Sequence, residues 1–150
     1  IYACEYFYDE NGVATWPKLS VNYTAKTQFL FRINKGVLDV HEDQALNAYT
    51  AEGERSVPFR NMVYIGDGLT DVPCMKLVKQ NGGKSIAVYA KGKEAISYRL
   101  MKEDRINFFT EADYTTQGEL FSLVKTILTQ MQAENALTEY QRGMKRLAGI

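Results

Sequence analysis

The sequence predicts an α/β protein with three layers, in which helices cover both faces of a doubly wound, mostly parallel sheet. From residue 62 onward, short apolar runs alternate with amphipathic stretches, which is the pattern of repeated β-α-β units. The first of these runs ends abruptly at Gly66-Asp67-Gly68, as parallel strands do before a ligand-binding loop. A chain of 150 residues, 45% of them hydrophobic, is long enough to bury the core of one domain.

The N-terminal segment predicts a β-hairpin. Residues 1–8 are rich in aromatic side chains and indicate a strand, residues 9–12 carry the turn sequence Asp-Glu-Asn-Gly, and residues 13–16 return as the second strand. Pro17 lacks a backbone donor and should interrupt this strand. Because the chain starts at Ile1 with a strand already under way, we expect it to be a piece of a longer protein.

Hydrophobic spacing and turn residues place the remaining elements. Thr24 is a plausible N-cap for a helix over residues 25–33, which Gly36 should terminate. The next segment has a weak pattern, with a short helix through Asn47 as its only candidate element. The elements predicted after it are a strand at 62–65, a helix at 71–79, a strand at 85–89, a helix at 93–103 and a strand at 106–109.

The C-terminal residues 117–148 are predicted to form helices that pack on the core. Apolar residues keep helical spacing from Leu120 to Met131, and the spacing continues to Leu147, either in the same helix or in a separate one. The last apolar side chains should cover an edge of the sheet or pair with another chain. They are Leu137, Tyr140, Met144 and Leu147.

Composition argues against several classes of partner and location. The chain has 18 basic residues (lysine and arginine) and 18 acidic residues (aspartate and glutamate). It therefore lacks the basic excess that favours binding to nucleic acid. No apolar run approaches the length of a membrane span. The two cysteines, Cys4 and Cys74, are too few for a disulfide framework and are expected to be buried thiols, which favours the cytoplasm. The single histidine, His41, argues against a structural zinc site.

Two carboxylates suggest a cation site. A carboxylate at the tip of a buried strand, such as Asp67, is costly unless it is paired or binds a cation. Asp71 follows at the start of a helix, and Mg²⁺ prefers one or two carboxylates completed by water and phosphate oxygens. Taken alone, Asp71 is more typical of a helix N-cap, and Gly-Asp-Gly alone is more typical of a turn. The two features together, after an apolar strand, favour a metal site.

The six residues from Gly66 to Asp71 (Gly-Asp-Gly-Leu-Thr-Asp) resemble the fourth motif of the haloacid dehalogenase-like (HAD) hydrolase superfamily, whose members are mostly Mg²⁺-dependent phosphatases. The apolar strand before them and the Pro73-containing helix after them also fit, and the N-terminal hairpin is similar to one in phosphoserine-phosphatase-like members. The resemblance covers most of residues 1–110. It implies a Rossmann-like core that is incomplete at its N-terminus, with the nucleophile strand and the cap upstream.

The resemblance also implies roles for individual residues. Asp67 would bind Mg²⁺ directly, and Asp71 would orient a metal-bound water or hold the lysine of the family's third motif. Gly68 and Thr70 would border the phosphate. That lysine would hold the nucleophile and the phosphate together and lower the energy of the charge that gathers there.

Two lysines are candidates for the third motif. Lys26 opens the predicted helix at residues 25–33, about one strand-helix unit before Asp67, and is favoured. Lys35 lies at the end of that helix, where a role in capping is natural.

The chain departs from the family in its first motif. An Asp-x-Asp sequence, which would supply the nucleophile and the general acid, occurs nowhere in it. We therefore expect the parent protein to transfer a phosphoryl group from a small phosphorylated metabolite to an upstream aspartate and then to water, and this chain alone to be inactive. The alternative is a non-catalytic HAD-like binding or scaffolding domain. A partner could be the missing N-terminal segment or a second copy.

Overall fold

The computed structural model describes residues 1–150 as a mixed α/β fold with a three-stranded parallel sheet, flanking helices and a separate two-stranded ribbon. Short 3₁₀ turns lie at Glu52–Glu54, Phe59–Asn61 and Leu69–Asp71. The strands and α-helices in chain order are β1 (Glu5–Tyr8), β2 (Ala14–Leu19), α1 (Lys26–Lys35), α2 (Asp43–Asn47), β3 (Val63–Gly66), α3 (Val72–Gln80), β4 (Lys84–Tyr89), α4 (Ala95–Lys102), β5 (Phe108–Glu111) and α5 (Glu119–Leu147).

The predicted N-terminal hairpin is present as an antiparallel ribbon of β1 and β2. The expectation that Pro17 would interrupt it is wrong, because β2 continues through Pro17 to Leu19, with Pro17 opposite Tyr6. A two-stranded ribbon has an open edge on each strand, where a residue without a backbone N–H costs no ladder bond. The aromatic side chains of the ribbon are exposed; they are Tyr6, Phe7, Tyr8 and Trp16.

The parallel sheet has the order β3-β4-β5, with β4 in the centre. Helices α3 and α4 pack on one face, and the beginning of α5 packs on the other. The three strands thus wind in one direction only, and β3 has one unpaired edge. The core side chains are Val72, Met75, Ala87, Leu100 and Ile106 on the first face, and Ile86, Val88, Leu120, Ile127 and Met131 on the second.

Helix α1 begins one residue later than predicted, and its N-terminus is organised by a residue other than Thr24. The side chain of Asn22 accepts hydrogen bonds from the backbone N–H groups of Thr24 and Ala25, at 3.1 and 3.0 Å. The helix ends at Gly36, whose φ of 75° is the left-handed conformation that glycine adopts without strain. The predicted stop is therefore confirmed.

The weakly patterned segment after α1 is held by a buried arginine. Arg32 is 1% exposed. Its guanidinium donates to the carbonyl oxygens of Asp39 and Val40, at 2.5 and 2.9 Å, and to the Asp43 carboxylate at 2.8 Å. These contacts replace the hydrophobic periodicity that the segment lacks and fix the start of α2.

Of the two alternatives for residues 117–148, one helix or two, the structure has one helix, and only its first half packs on the core. It is one continuous helix of 29 residues, α5, and its last buried residue is Met131. Beyond Met131 one side of α5 lies beside the segment 53–61, where Thr138 and Arg142 line a cavity with Arg55 and Arg60, and the last apolar side chains remain exposed. Those of Leu137, Tyr140, Met144 and Leu147 are between 68% and 92% exposed.

The cysteines are both free thiols, but only one of them is buried as expected. Cys74 lies in α3 and is inaccessible, whereas Cys4 precedes β1 and is exposed. Cys4 is exposed because the ribbon that follows it does not pack on the core. None of the helices combines the length and apolarity required to cross a bilayer.

Candidate functional site

The candidate site lies at the carboxyl end of β3, where the chain turns into α3. A 3₁₀ turn at Leu69–Asp71 joins the two elements and directs the Asp71 side chain back toward the strand. Gly66 makes this approach possible, because a Cβ atom there would lie 2.7 Å from the Cβ of Asp71. A Cβ atom on Gly68 would meet only ordinary contacts, 3.7 Å or more away. Of these two glycines, only Gly66 is therefore needed to let the Asp71 side chain approach the backbone closely.

The Asp71 carboxylate is buried and fully engaged. Its Oδ1 atom accepts hydrogen bonds from Lys26 Nζ and from the Tyr64 hydroxyl, both at 2.7 Å. Its Oδ2 atom accepts one from the backbone N–H of Gly68 at 3.3 Å. Asp71 occupies the N-cap position of α3, but its side chain makes no capping hydrogen bond to that helix. It caps the preceding 3₁₀ turn instead, through the bond from the Gly68 N–H.

The local electrostatics keep both members of the Lys26–Asp71 ion pair charged. Burial alone would raise the pKa of Asp71, but the hydrogen bonds from Lys26 and Tyr64 outweigh it and hold the pKa below its usual value. The hydrogen bond to Asp71 raises the pKa of Lys26 above its ordinary value, and the charge of Asp67 adds to the effect. The site therefore presents a permanent cation, 30% exposed, at the end of the sheet.

Asp67 and Thr70 are exposed, and Gly68 is half-buried between them. The Asp67 side chain makes no hydrogen bond or ion pair in the structure, so its carboxylate is free for a ligand. The structure brings Lys26, Asp67 and Asp71 together, although Lys26 is 45 residues from Asp71 in the sequence.

Lys35, the alternative lysine, lies at the opposite end of α1. Its Nζ atom donates to the carbonyl oxygens of Leu46 and Ala48, at 2.7 and 2.5 Å, and so caps the C-terminal end of α2. Lys35 also lines the largest cavity, of about 640 Å³, between α1 and α2. That cavity includes neither Asp67 nor Asp71. Its charged side chains are each engaged within the chain: Lys35 with carbonyl oxygens, Asp43 with Arg32 and Arg55 with Glu52.

Two residues at the site, Tyr64 and Cys74, were not predicted from the sequence to belong to it. Tyr64 appeared only as part of an apolar strand, yet its hydroxyl is hydrogen-bonded to Asp71. Burial is the main reason that the pKa of Tyr64 is raised, so the hydroxyl keeps its proton and remains a donor. Cys74 is buried beside it, and burial likewise raises the pKa of its thiol. The hydroxyl of a tyrosine within a buried strand needs a polar partner. This requirement could have indicated from the sequence that Tyr64 contacts a polar group.

The donor atoms present fit Mg²⁺ in chemical type but do not form a complete centre. The structure contains no group of three or more histidine, cysteine or acidic side chains placed to hold a metal. Asp67 offers a free carboxylate, whereas both oxygens of Asp71 already accept hydrogen bonds. Of the two predicted ligands, Asp67 is thus the available one, and Asp71 serves to hold Lys26.

Comparison with known proteins gives one relative of unknown function. The chain is 31% identical over 107 residues to an uncharacterized protein of Borreliella burgdorferi. The match covers 69% of this chain and 35% of the relative, so the chain spans about a third of that protein. No family model matches the chain, and no solved structure matches it.

Proposed function

We propose that this chain is the C-terminal part of a Mg²⁺-dependent phosphohydrolase of the HAD-like superfamily, with a doubly wound Rossmann-like core completed by residues outside the chain. The parent protein would hydrolyse a small phosphorylated metabolite through an aspartyl-phosphate formed on an aspartate upstream. The observation that carries the proposal is the ion pair between Lys26 and the buried Asp71 beside the free carboxylate of Asp67.

The Lys26–Asp71 pair supports phosphoryl transfer because it fixes a cation at one position. The buried carboxylate loses solvation, and the hydrogen bonds from Lys26 and Tyr64 outweigh that loss. Such a pair is explained if its purpose is to hold an ammonium group in one position. A fixed ammonium at the carboxyl end of a parallel strand can stabilise the negative charge of a phosphoryl group and of an attacking carboxylate.

The other residues have complementary roles in this proposal. Asp67 would supply one carboxylate to Mg²⁺, which neutralises phosphoryl oxygens when it is bound. Gly68 and Thr70 would border the phosphate. Asp71 touches no substrate and acts through Lys26, with Tyr64 donating the second hydrogen bond that keeps Asp71 in place.

The open edge of β3 is consistent with a missing nucleophile strand. Parallel sheets are normally covered on both faces, whereas β3 is an edge strand that pairs only with β4 and its Ile65 side chain is 39% exposed. A parallel strand added at this edge would end next to Asp67 and Lys26. An aspartate at its tip would then complete the set of carboxylates.

The test is hydrolysis of p-nitrophenyl phosphate by the full-length parent protein with and without Mg²⁺. We expect metal-dependent turnover that falls at least 100-fold in Lys26→Met and in Asp67→Asn, because each removes a charge that the transition state uses. Lys76→Met is the matched control, since Lys76 is an exposed lysine of α3 without an ion pair.

The same experiment separates the enzyme from a HAD-like binding or scaffolding domain. Full activity in Lys26→Met, or a parent protein that lacks Asp-x-Asp upstream of Ile1, would leave the binding domain as the better explanation. Intact-mass analysis and N-terminal sequencing of the purified protein against its reading frame give the second result directly. The proposal includes a cytoplasmic location, which the two unpaired cysteines favour.

A further inference from the structure

The C-terminal part of α5 is an apolar helix face without a partner. From residue 132 onward the helix contributes no buried side chain. Residues at i, i+3, i+7 and i+10 lie along one face of a helix, and here that spacing is occupied by large apolar side chains. They are Leu137, Tyr140, Met144 and Leu147, which are 69%, 70%, 68% and 92% exposed. Four such side chains in a row on one face are typical of a helix that packs against another.

Small residues on the same face allow a close approach by a second helix. Ala136 and Gly143 lie beside Tyr140 and Leu147 and line a shallow apolar groove with them. A glycine or alanine next to large side chains provides the space into which a side chain of a facing helix fits. The groove continues along the helix, so a rod-like partner matches its shape better than a small molecule does.

We propose that a second copy of this chain covers this face, with the two α5 helices packed antiparallel about a twofold axis. The four large side chains are spaced symmetrically along the helix. When the copies are antiparallel and centred near residue 142, Leu137 of one lies opposite Leu147 of the other, and Tyr140 lies opposite Met144. Each of these two contacts then occurs twice, once on each side of the twofold axis, so both copies contribute the same four residues.

Charges at the border of the face select the antiparallel arrangement. Glu139 and Arg146 lie two helical turns apart on the same border. In the antiparallel arrangement Glu139 of each copy faces Arg146 of the other within about one residue. In a parallel twofold pair this border of one copy lies on the side of the interface opposite to the same border of the other, so Glu139 and Arg146 could not pair between copies. Arg146 makes no ion pair within its own chain and is therefore free to take part; Glu139 already pairs with Arg142 at 2.6 Å and would be shared.

The overlap extends over residues 137–147 of each helix. The opposite side of this part of α5 faces another segment of the same chain, since Thr138 and Arg142 line a cavity together with Arg55 and Arg60. An interface of this length is small, so we expect a dimer that dissociates on dilution. The inference is independent of the proposed phosphohydrolase function, because it uses none of the residues at β3.

Sedimentation velocity over roughly 10 µM to 1 mM protein, a range suited to a weak interface, tests the proposal. We expect the mass to rise from that of one chain to that of two, and a Tyr140→Arg/Met144→Arg variant to stay monomeric. Both side chains are exposed, so the variant should keep its fold, which circular dichroism checks. The control, Leu128→Arg/Thr129→Arg, adds the same charge at exposed positions of α5 that precede Leu137 by at least eight residues and should associate like the wild type.

The orientation is tested by the distance between spin labels on Gln132→Cys in a Cys4→Ser background. The antiparallel arrangement predicts about 30 Å along the axis, since the two positions are 20 residues of helix apart at about 1.5 Å each. A parallel pair predicts about 10 Å. A wild type that stays monomeric, a Tyr140→Arg/Met144→Arg variant that still associates (for instance through the β3 edge), or the short distance would each overturn the proposal.

Discussion

The two ends of α1 carry the same residue type and use it in different ways. Lys26, at the first residue of the helix, reaches a buried carboxylate on another element. Lys35, at the last residue, donates to carbonyl oxygens at the end of a neighbouring helix. Both lysines donate from an end of the same helix. Their acceptors differ because the two ends of α1 face different parts of the chain.

The difference shows how a structural lysine can be told from a candidate functional one. The acceptors of Lys35 are neutral carbonyls that any helix end leaves unsatisfied. The acceptor of Lys26 is a charged group, buried at a cost and held by two further donors. A charge-charge contact at the end of a parallel strand is harder to explain by folding alone than a cap is. Substitutions at the two ends should therefore separate stability from activity.

Removing the Asp71 carboxylate should have the largest effect on stability. In Asp71→Ala, Lys26 and Tyr64 both lose their acceptor, and we expect a loss of about 3 kcal/mol, the lower part of the range for breaking a buried pair. Lys26 is partly solvated, which keeps the loss from being larger. Urea unfolding followed by fluorescence measures it. Asp71→Asn, which keeps an acceptor, should lose clearly less; equal losses in the two variants would mean that the ion pair is not what holds this end of α1.

Gly66→Ala should act on the same pair without removing any of its atoms. The added methyl group would lie 2.7 Å from the Cβ of Asp71, so the Asp71 side chain has to move away from Lys26. Overpacking of this kind costs about 1–3 kcal/mol. Gly53→Ala is the matched control, since a Cβ atom there meets nothing within 4 Å. Unfolding midpoints that coincide for the two variants would contradict the close approach at Gly66.

The carboxyl end of β3 was predictable because its signals are local in sequence. The strand, the Gly-Asp-Gly turn and the helix that follows lie within about twenty residues, and the strand at 85–89 was placed within one residue of β4. Lys26 was favoured as the lysine of the third motif because it lies at a helix start. Its contact with Asp71 depends on how α1 packs on α3, which no local pattern encodes.

The elements that the sequence did not predict depend on long-range contacts or on their absence. Arginine is typically a surface residue, yet Arg32 is buried because it satisfies several acceptors of the following segment. The continuous course of α5 could not be told from two helices, because the hydrophobic spacing continues where burial stops. Tyr64 was predicted only as part of an apolar strand, because a pattern of apolarity does not show where a hydroxyl points.

Lys35→Met should affect the opposite end of α1 and leave the site intact. The variant loses two hydrogen bonds to carbonyl oxygens of α2, and we expect a loss of about 1 kcal/mol. Hydrogen exchange should become faster at the amides of Asp43–Asn47. Activity of the full-length parent should stay within about twofold of the wild type. A larger loss of activity than in Lys26→Met would show that the functional lysine has been assigned to the wrong end of the helix.

The pH dependence of the free energy of unfolding should also distinguish Lys26 from Lys35. This is the smallest effect that we predict. The pKa of Asp71 is lowered by folding, so its contribution is complete above the ordinary value of 3.8 and is lost as the pH falls through the lowered value. The pKa of Lys26 is raised, so its contribution is complete below 10.5 and is lost as the pH rises through the raised value. The stability difference between wild type and Asp71→Asn should therefore be constant from about pH 5 to 9 and shrink on either side. In a Lys35→Met background the difference should keep the same profile, because the acceptors of Lys35 do not titrate. A difference that varies between pH 5 and 9 would mean that a group other than Lys26 and Asp71 controls this end of α1.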